Sequence, residues 1–256
     1  MIRALLAVAA SATLAACSAP SASVMPLIGS LGISGDLSIQ DQSSLVGGAS
    51  ANSTFDELGL DDEAAIGALV RVGFAGAELS VAGIGVDFSG RGTTNSEFDF
   101  EGITINADTD VETDIGLQMA RALFTWDVLP LPGVDLGLGL GATLIDLDFR
   151  LRDVTTGETI ETDQLIPVPL LGARAAWTWG PVKLRADAGG LIAEYDGNEA
   201  TVLDGEISAA VDVLQTGQLT AGYRVTRIDA VYDDSDARID ADLGLEGYYI
   251  GLRFGF

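Results

Sequence analysis

Apolar residues in this chain recur at every second position instead of forming continuous runs. The clearest example follows Gly133, where leucine alternates with glycine and aspartate. One face of this segment carries Val134, Leu136, Leu138, Leu140 and Leu144, and the other carries Asp135, Gly137, Gly139, Gly141 and Thr143. Successive side chains of a β-strand point to opposite faces, so period two indicates strands. With 48% hydrophobic residues dispersed in this way, the chain is predicted to be all-β.

Ten segments with this alternation are separated by two kinds of connection. Short turns are predicted near residues 75, 131, 180 and 216. They alternate with longer polar links at about 41–62, 88–108, 152–164, 195–200 and 232–241. This order predicts an antiparallel up-and-down meander of about ten strands, or eight if the first or a loop-proximal segment does not span.

One predicted strand changes its pattern in the middle. Beyond Leu144 the apolar side chains move to the other face, where Ile145, Leu147 and Phe149 oppose Asp146 and Asp148. Two explanations fit this change. Either a β-bulge lies there, or the strand leaves a hydrocarbon environment at that point.

The N-terminus has the layout of an export signal. Arg3 supplies a positive charge, and a short apolar run through Ala16 is too short to span a bilayer, so residues 1–16 are predicted to be a signal peptide. Leu14-Ala15-Ala16-Cys17 resembles the lipobox of bacterial lipoproteins, which implies lipid attachment at Cys17. The alternative is cleavage after the small residues 10–12, with Cys17 incidental. Residues 17–29 are assigned to a lipidated N-terminus and flexible tether, and residues 30–256 to the β-domain.

Both a membrane barrel and a soluble exported β-sandwich would alternate in this way. Aromatic residues near the strand ends fit the interfacial girdles of a membrane barrel, and glycines on the polar faces suit a narrow lumen. We therefore predict a closed antiparallel transmembrane β-barrel in the outer membrane, with its N-terminus on the periplasmic side. Its lumen is expected to hold a charge network of Arg71, Arg174, Lys183, Arg185, Asp187, Arg224 and Arg253.

The C-terminal segment resembles the signal that the outer-membrane barrel assembly machinery reads. Its alternate apolar residues are Tyr248, Ile250, Leu252, Phe254 and Phe256. More broadly, residues 30–256 look like the small outer-membrane β-barrel proteins of Gram-negative bacteria, with points of likeness at 55–60, 167–172 and 222–224. The resemblance implies outer-membrane lipids, lipopolysaccharide and the assembly machinery as partners, but no particular activity.

Charge and residue usage narrow the function. The chain has 38 acidic and 13 basic residues, which excludes a nucleic-acid partner. Barrel lipid A deacylases, palmitoyl transferases, phospholipases and omptin-type proteases resemble one another in using a histidine base, and this chain has 0 histidines. A serine–lysine pair would need Lys183, which is expected to be ion-paired. We therefore expect neither catalysis nor a cofactor.

Two loop features suggest local structure. Asp108, Asp110, Glu112 and Asp114 lie at period two and are candidate Ca²⁺ ligands, but a solvated acidic rim is the favoured interpretation because they lack EF-hand spacing. The segment Ser53–Gly59 predicts a short helix folded over the barrel mouth.

The leading functional hypothesis is a structural or surface-interaction barrel with acidic extracellular loops and a plugged lumen. The alternatives are a narrow channel or small-solute transporter, and a soluble exported β-sandwich lipoprotein.

Overall fold

Antiparallel strands make up most of the residues that the structure describes. The computed structural model describes residues 20–41, 50–55, 57–94, 98–100, 103–105, 107–195, 198–233 and 237–255. The predicted signal peptide, Cys17 and Phe256 lie outside these residues. The strands are β1 (Ser21–Asp41), β2 (Ser50–Thr54), β3 (Glu63–Phe74), β4 (Ala77–Thr93), β5 (Phe98–Phe100), β6 (Ile103–Ile105), β7 (Asp110–Leu131), β8 (Val134–Asp153), β9 (Thr159–Trp179), β10 (Val182–Tyr195), β11 (Asn198–Asp212), β12 (Gly217–Asp233) and β13 (Ala237–Gly255).

Ten long strands close into one barrel. The sheet runs β13-β12-β11-β10-β9-β8-β7-β4-β3-β1, and β13 also pairs with β1. The closing pair is antiparallel and extends from Ser23 opposite Gly255 to Asp41 opposite Ala237. The prediction of a closed ten-stranded barrel is confirmed, and the β-sandwich alternative is wrong because a single sheet closes on itself.

The first strand begins earlier than the sequence suggests. Residues 21–29, assigned above to a flexible tether, form the first part of β1 and pair with both β3 and β13. The tether assignment is therefore wrong for these residues. These residues include two serines and one proline, but their backbone groups are needed to close the sheet.

The predicted helix over the mouth is also absent from the described residues. Ser53 and Thr54 belong to β2, which pairs with β1 between Asp36 and Gln40. The pairing of β1 with β3 stops at Leu31, opposite Glu63, so the part of β1 after Leu31 would otherwise present an unpaired edge. The short strand β2 provides the missing hydrogen-bond partners, which favours strand over helix.

Most of the predicted long links are shorter than expected because the strands continue into them. β8 and β9 are joined by residues 154–158, and β10 and β11 by residues 196–197. At the opposite end, tight turns at 75–76, 132–133, 180–181 and 213–216 join the strands. A strand crossing a bilayer needs about 9–11 residues. Because β8 has 20 residues, about half of it projects beyond the hydrocarbon.

Polarity inverts along the strands at a common level. In β8, Leu136, Leu138, Leu140 and Leu144 face outward near the tight turns, whereas Asp146, Asp148, Arg150 and Arg152 face outward beyond them. The inward face changes in the opposite sense. It carries glycine and Thr143 near the tight turns and the apolar Ile145 and Leu151 beyond them. The outer surface is apolar where lipid surrounds it and polar where water does.

This inversion explains the change of pattern after Leu144 without a bulge. β8 stays in register with β7 and with β9 through Leu144 and Ile145, so the bulge explanation is wrong. The irregularity in the β7–β8 pairing lies instead between Asp127 and Leu129, beside the turn.

Aromatic side chains border the apolar outer band. Trp126, Trp177 and Trp179 are exposed near the tight turns, and the rings of Trp177 and Trp179 stack with centroids 6.3 Å apart. At the other border, the rings of Tyr223 and Tyr248 lie 4.8 Å apart on neighbouring strands. Two such belts are typical of the two interfaces of a membrane barrel.

Candidate functional site

The half of the lumen nearer the tight turns is filled by charged side chains, which we call the ionic layer. It is contributed by inward positions of β3, β4, β7 and β9–β13. Its arginines are Arg71, Arg121, Arg174, Arg185, Arg224 and Arg253, and its carboxylates are Glu78, Asp127, Asp187, Asp204 and Glu206.

One cluster of the ionic layer centres on Asp204. This carboxylate accepts hydrogen bonds from Arg121, from Arg224 Nη2 at 2.7 Å and from Thr226 Oγ1 at 3.0 Å. Glu206, two residues along β11, accepts from Arg121 Nη2 at 3.3 Å and from the Tyr249 hydroxyl at 2.7 Å. Every one of these side chains is buried, so the charges are balanced within the lumen and not by water.

A second cluster lies closer to the tight turns. Glu78 accepts from Arg185 Nη2 at 2.6 Å and pairs with Arg174 Nη1 at 3.1 Å. Arg185 Nε also donates to Asp187 at 2.6 Å, and Arg174 Nη2 donates to Asp127. A Cβ atom at Gly137 would lie 3.1 Å from the Arg174 guanidinium, so glycine leaves the space that this side chain occupies.

Two arginines are held less well. Arg71 Nη2 lies 3.7 Å from both Asp187 and Glu206, and its Nε and Nη1 have no partner among the described residues. Arg253 donates from Nη1 to Gln218 Oε1 at 3.5 Å, and its Nε is likewise without a partner there.

Lys183 lies apart from the ionic layer. Its Nζ is 3.7 Å from Asp212 Oδ1, and both side chains are more than two-fifths exposed. The structure thus places six of the seven predicted lumen residues, Arg71, Arg174, Arg185, Asp187, Arg224 and Arg253, together within the ionic layer, and Lys183 at its edge.

Above the ionic layer the lumen is apolar. We call this part the apolar layer, and it belongs to the portion of the barrel that projects beyond the hydrocarbon. Its inward side chains include Val86, Phe88, Ile115, Leu117, Met119, Ile145, Leu151, Val168, Leu170, Val202 and Leu245. Packing of this kind resembles the core of a soluble protein.

A short segment packs against the outer end of the apolar layer. The plug segment is residues 55–60, of which residue 56 lies outside the described ones. Its Leu58 and Leu60 are buried in the apolar layer, and the Phe55 amide donates to the Gly35 carbonyl at 3.2 Å. Gly90 and Gly92 face this segment from β4, and a Cβ atom at either would collide with its backbone. Glycine at these two positions therefore lets the plug segment lie against the barrel wall.

The four candidate Ca²⁺ ligands do not converge. Glu112 pairs with Arg91 and, at 3.4 Å, with Arg152 Nη1, and Asp110 Oδ1 accepts from Thr93 Oγ1 at 3.0 Å. Asp114 is exposed on the outer face, and Asp108 lies in a turn with a φ of 57°. Among the residues that the structure describes, no three acidic, histidine or cysteine side chains are grouped as metal ligands.

The projecting outer surface is predominantly acidic. We call its exposed carboxylates the acidic rim: Asp87, Asp114, Asp146, Asp148, Glu161, Asp163, Asp229, Asp242 and Glu246. On the same surface, Arg150 Nε pairs with Glu161 at 2.8 Å, and Asp148 lies directly opposite Asp163 in the β8–β9 pairing.

The predicted assembly signal forms the outer face of β13. Tyr248, Ile250, Leu252 and Phe254 are exposed toward the lipid side, whereas Phe256 lies outside the described residues.

The lumen residues predicted from the sequence do not include Arg121, Glu78 and Asp204 of the ionic layer, or Tyr249, which donates to Glu206. Arg121 shares its face of β7 with Leu117 and Met119, which the alternation suggests would face lipid. Both residues in fact face inward, because this part of β7 projects into water. Following the parity of β7 through Arg121 to Thr125 would have identified the lumen face.

Solved structures of outer-membrane barrels resemble this protein in fold. The outer membrane protease OmpT from Escherichia coli matches with a TM-score of 0.57 at 12% identity, over 91% of this chain and 97% of that one. The chain has the fold of an outer-membrane β-barrel. The translocator domain of the autotransporter NalP from Neisseria meningitidis (TM-score 0.37, 15% identity, 98% of this chain and 93% of that one) is less similar.

At these identities the likeness concerns the fold alone. No protein-family model matches the chain, and no curated protein sequence does. Within the described ranges, no helix is long and apolar enough to cross a bilayer.

Proposed function

We propose that this protein is an exported outer-membrane barrel that is closed to solutes and that acts through its projecting surface. The observation that carries the proposal is the filling of the lumen by the ionic layer, the apolar layer and the plug segment in succession. A solute crossing the barrel would have to displace paired charges and then a packed apolar core. Either step opposes passage, which favours a structural or surface-interaction role over a channel.

The surface available for interaction is the outside of the projecting half. Assuming a tilt near 45°, ten residues of strand beyond the hydrocarbon would rise roughly 20 Å above it. The acidic rim covers this surface, so cationic groups and cation-bridged lipopolysaccharide phosphates are the complementary partners.

Conductance in planar bilayers tests whether the barrel is closed. The intact protein is expected to give no stable conductance, and so is Arg224→Ala, because the apolar layer and the plug segment remain. Arg150→Ala, on the exposed outer surface, is the matched control. A reproducible, ion-selective conductance in the intact protein would contradict the proposal, and one that appears with Arg224→Ala alone would favour a gated narrow channel.

Outer-membrane location and lipid attachment at Cys17 are parts of the same proposal. Heat-modifiable migration on a gel, together with fractionation into the outer membrane, is expected for the barrel. Mass spectrometry of the mature N-terminus distinguishes an acylated Cys17 from an unmodified terminus produced by cleavage elsewhere. Cys17→Ser is expected to remove the lipid mass while leaving heat-modifiability unchanged.

We also propose that the protein has no catalytic activity. The likeness to the protease OmpT is one of fold, and this chain contains 0 histidines. Incubation of the purified barrel with peptide and phospholipid substrates is expected to yield no product. Turnover that a single substitution in the lumen or the acidic rim abolishes would refute the absence of catalysis.

A further inference from the structure

Within the ionic layer, arginines outnumber carboxylates by one. Six arginines meet five carboxylates within it, and each guanidinium remains protonated at any physiological pH. Lys183 and Asp212 pair with each other outside the layer. Asp135 is exposed at the tight-turn end and forms no ion pair with the described residues.

The pairing pattern locates the excess charge. Asp127, Glu78 and Asp204 each bind other arginines directly, whereas Arg71 has only the two 3.7 Å contacts and Arg253 has no carboxylate partner among the described residues. Arg71 is 6% exposed, yet two of its three guanidinium nitrogens have no hydrogen-bond partner in the part of the chain that the structure describes.

Arg71 and Arg253 lie close together across β1. Ser23 of β1 pairs with Arg71 on one side and with Gly255, two residues after Arg253, on the other. Arg71 and Arg185 also approach the same oxygen, Asp187 Oδ2, at 3.7 and 2.6 Å. Both carboxylates that Arg71 approaches already accept hydrogen bonds from other side chains, Asp187 from Arg185 and Glu206 from Arg121 and Tyr249. Water can satisfy donors there but cannot offset the charge.

We propose that the lumen binds one small monovalent anion between Arg71 and Arg253, with chloride as the occupant. Unpartnered N–H groups of both arginines would donate to it, and its charge would make the ionic layer neutral. The inference concerns the stability of the barrel and does not depend on whether the barrel conducts.

Thermal unfolding of the full-length protein in detergent micelles tests the proposal. At constant ionic strength, replacing gluconate by chloride from about 1 to 100 mM is expected to raise the unfolding midpoint by roughly 2–4 °C. Arg71→Gln is expected to abolish this difference. The matched control Arg150→Gln, which removes an exposed arginine outside the lumen, is expected to retain it.

Equal midpoints in chloride and gluconate for the intact protein would overturn the proposal, as would a chloride effect that survives Arg71→Gln. If Arg71→Gln does not fold, Arg253→Gln replaces it with the same expectation. Crystals soaked in bromide give an independent result. An anomalous peak within hydrogen-bonding distance of Arg71 and Arg253 is expected, and an empty lumen in crystals that bind bromide elsewhere would refute the site.

Discussion

Gly222 and Tyr249 lie directly opposite each other on β12 and β13 and both face the lumen. A Cβ atom at Gly222 would overlap the Tyr249 ring, whose hydroxyl donates to Glu206. The absence of one side chain therefore makes room for another that completes the ionic layer. The glycines of the polar faces matter here because they leave room for neighbouring side chains, and not because they make the backbone flexible.

Gly222→Ala is expected to destabilise the barrel by about 1–3 kcal/mol, because the added methyl group overlaps the Tyr249 ring and forces it away from Glu206. The free energy of unfolding in urea measures this effect. Gly205→Ala is the matched control, since Gly205 faces outward on β11 and its Cβ would make only an ordinary contact with Val225. Equal losses in the two variants would mean that strand propensity, and not lumen space, explains the result.

Asp153 gives the loop between β8 and β9 a dependence on pH. Backbone N–H groups of Thr156, at 3.0 Å, and of Thr155, at 2.6 Å, donate to its Oδ1 and hold its pKa below the usual 3.8. Because folding lowers the pKa of Asp153, its ionised carboxylate stabilises the folded loop above pH 3.8. This stabilisation is lost as the pH falls through the pKa of Asp153 in the folded protein.

The amide hydrogens of Thr155 and Thr156 are accordingly expected to stay protected from exchange near neutral pH and to lose additional protection below pH 3.8. Asp153→Asn keeps an acceptor oxygen but cannot titrate, so its exchange is expected to lack this acid transition. If Asp153→Asn shows the same acid transition, a group other than Asp153 causes it.

At the scale of the element, strand β7 shows what could be predicted and what could not. Its alternation is plain in the sequence, and its strand character is confirmed. The direction of each face does not follow from the alternation, because Ile115, Leu117 and Met119 face a lumen that is apolar beyond the membrane. Alternation specifies two faces, but the surroundings of the barrel decide which face points outward. A strand longer than the bilayer is surrounded by lipid along one part and by water along the other.

The plug segment depends on its fit against β4. Gly92→Leu is expected to displace it, because the new side chain would occupy the place of the Glu57–Leu58 backbone. Faster proteolysis and hydrogen exchange within residues 55–60 would report the displacement. Conductance is expected to remain absent, since the apolar and ionic layers stay in place.

The matched control for this variant is Gly85→Leu, which faces outward on the same strand and meets no atom closer than 4.0 Å. Unchanged exchange of the plug segment in Gly92→Leu would show that other contacts hold it.

At the scale of the whole molecule, the inversion of polarity divides the barrel into two halves with opposite construction. The membrane half has an apolar outside and an ionic inside, and the projecting half has an acidic outside and an apolar inside. The number of strands, their order and the closed sheet were all predictable from alternation and turn spacing. The pairing of Arg121 with Asp204 was not, because it joins β7 to β11 across the lumen through side chains 83 residues apart in sequence.

The position of the membrane is testable by substituting outward residues at two depths. Leu140 is 58% exposed on the apolar band, and Leu140→Arg is expected to cost about 2–4 kcal/mol in lipid vesicles. Asp146→Arg, six residues along the same face of β8 and beyond the inversion, is expected to change stability by less than about 1 kcal/mol. Unfolding in urea measures both, and similar costs would mean that the hydrocarbon does not end between these residues.

The shared level of the inversion also fixes how deeply the protein is immersed. Sliding outward by one pair of residues would expose apolar side chains such as Leu144 to water, and sliding inward would draw the carboxylates of Asp146 and Glu246 into hydrocarbon. Both displacements are opposed on every side at once, so the barrel has little freedom to adjust its height. In a bilayer of unsuitable thickness, the lipid chains around the barrel would have to stretch or compress in its place.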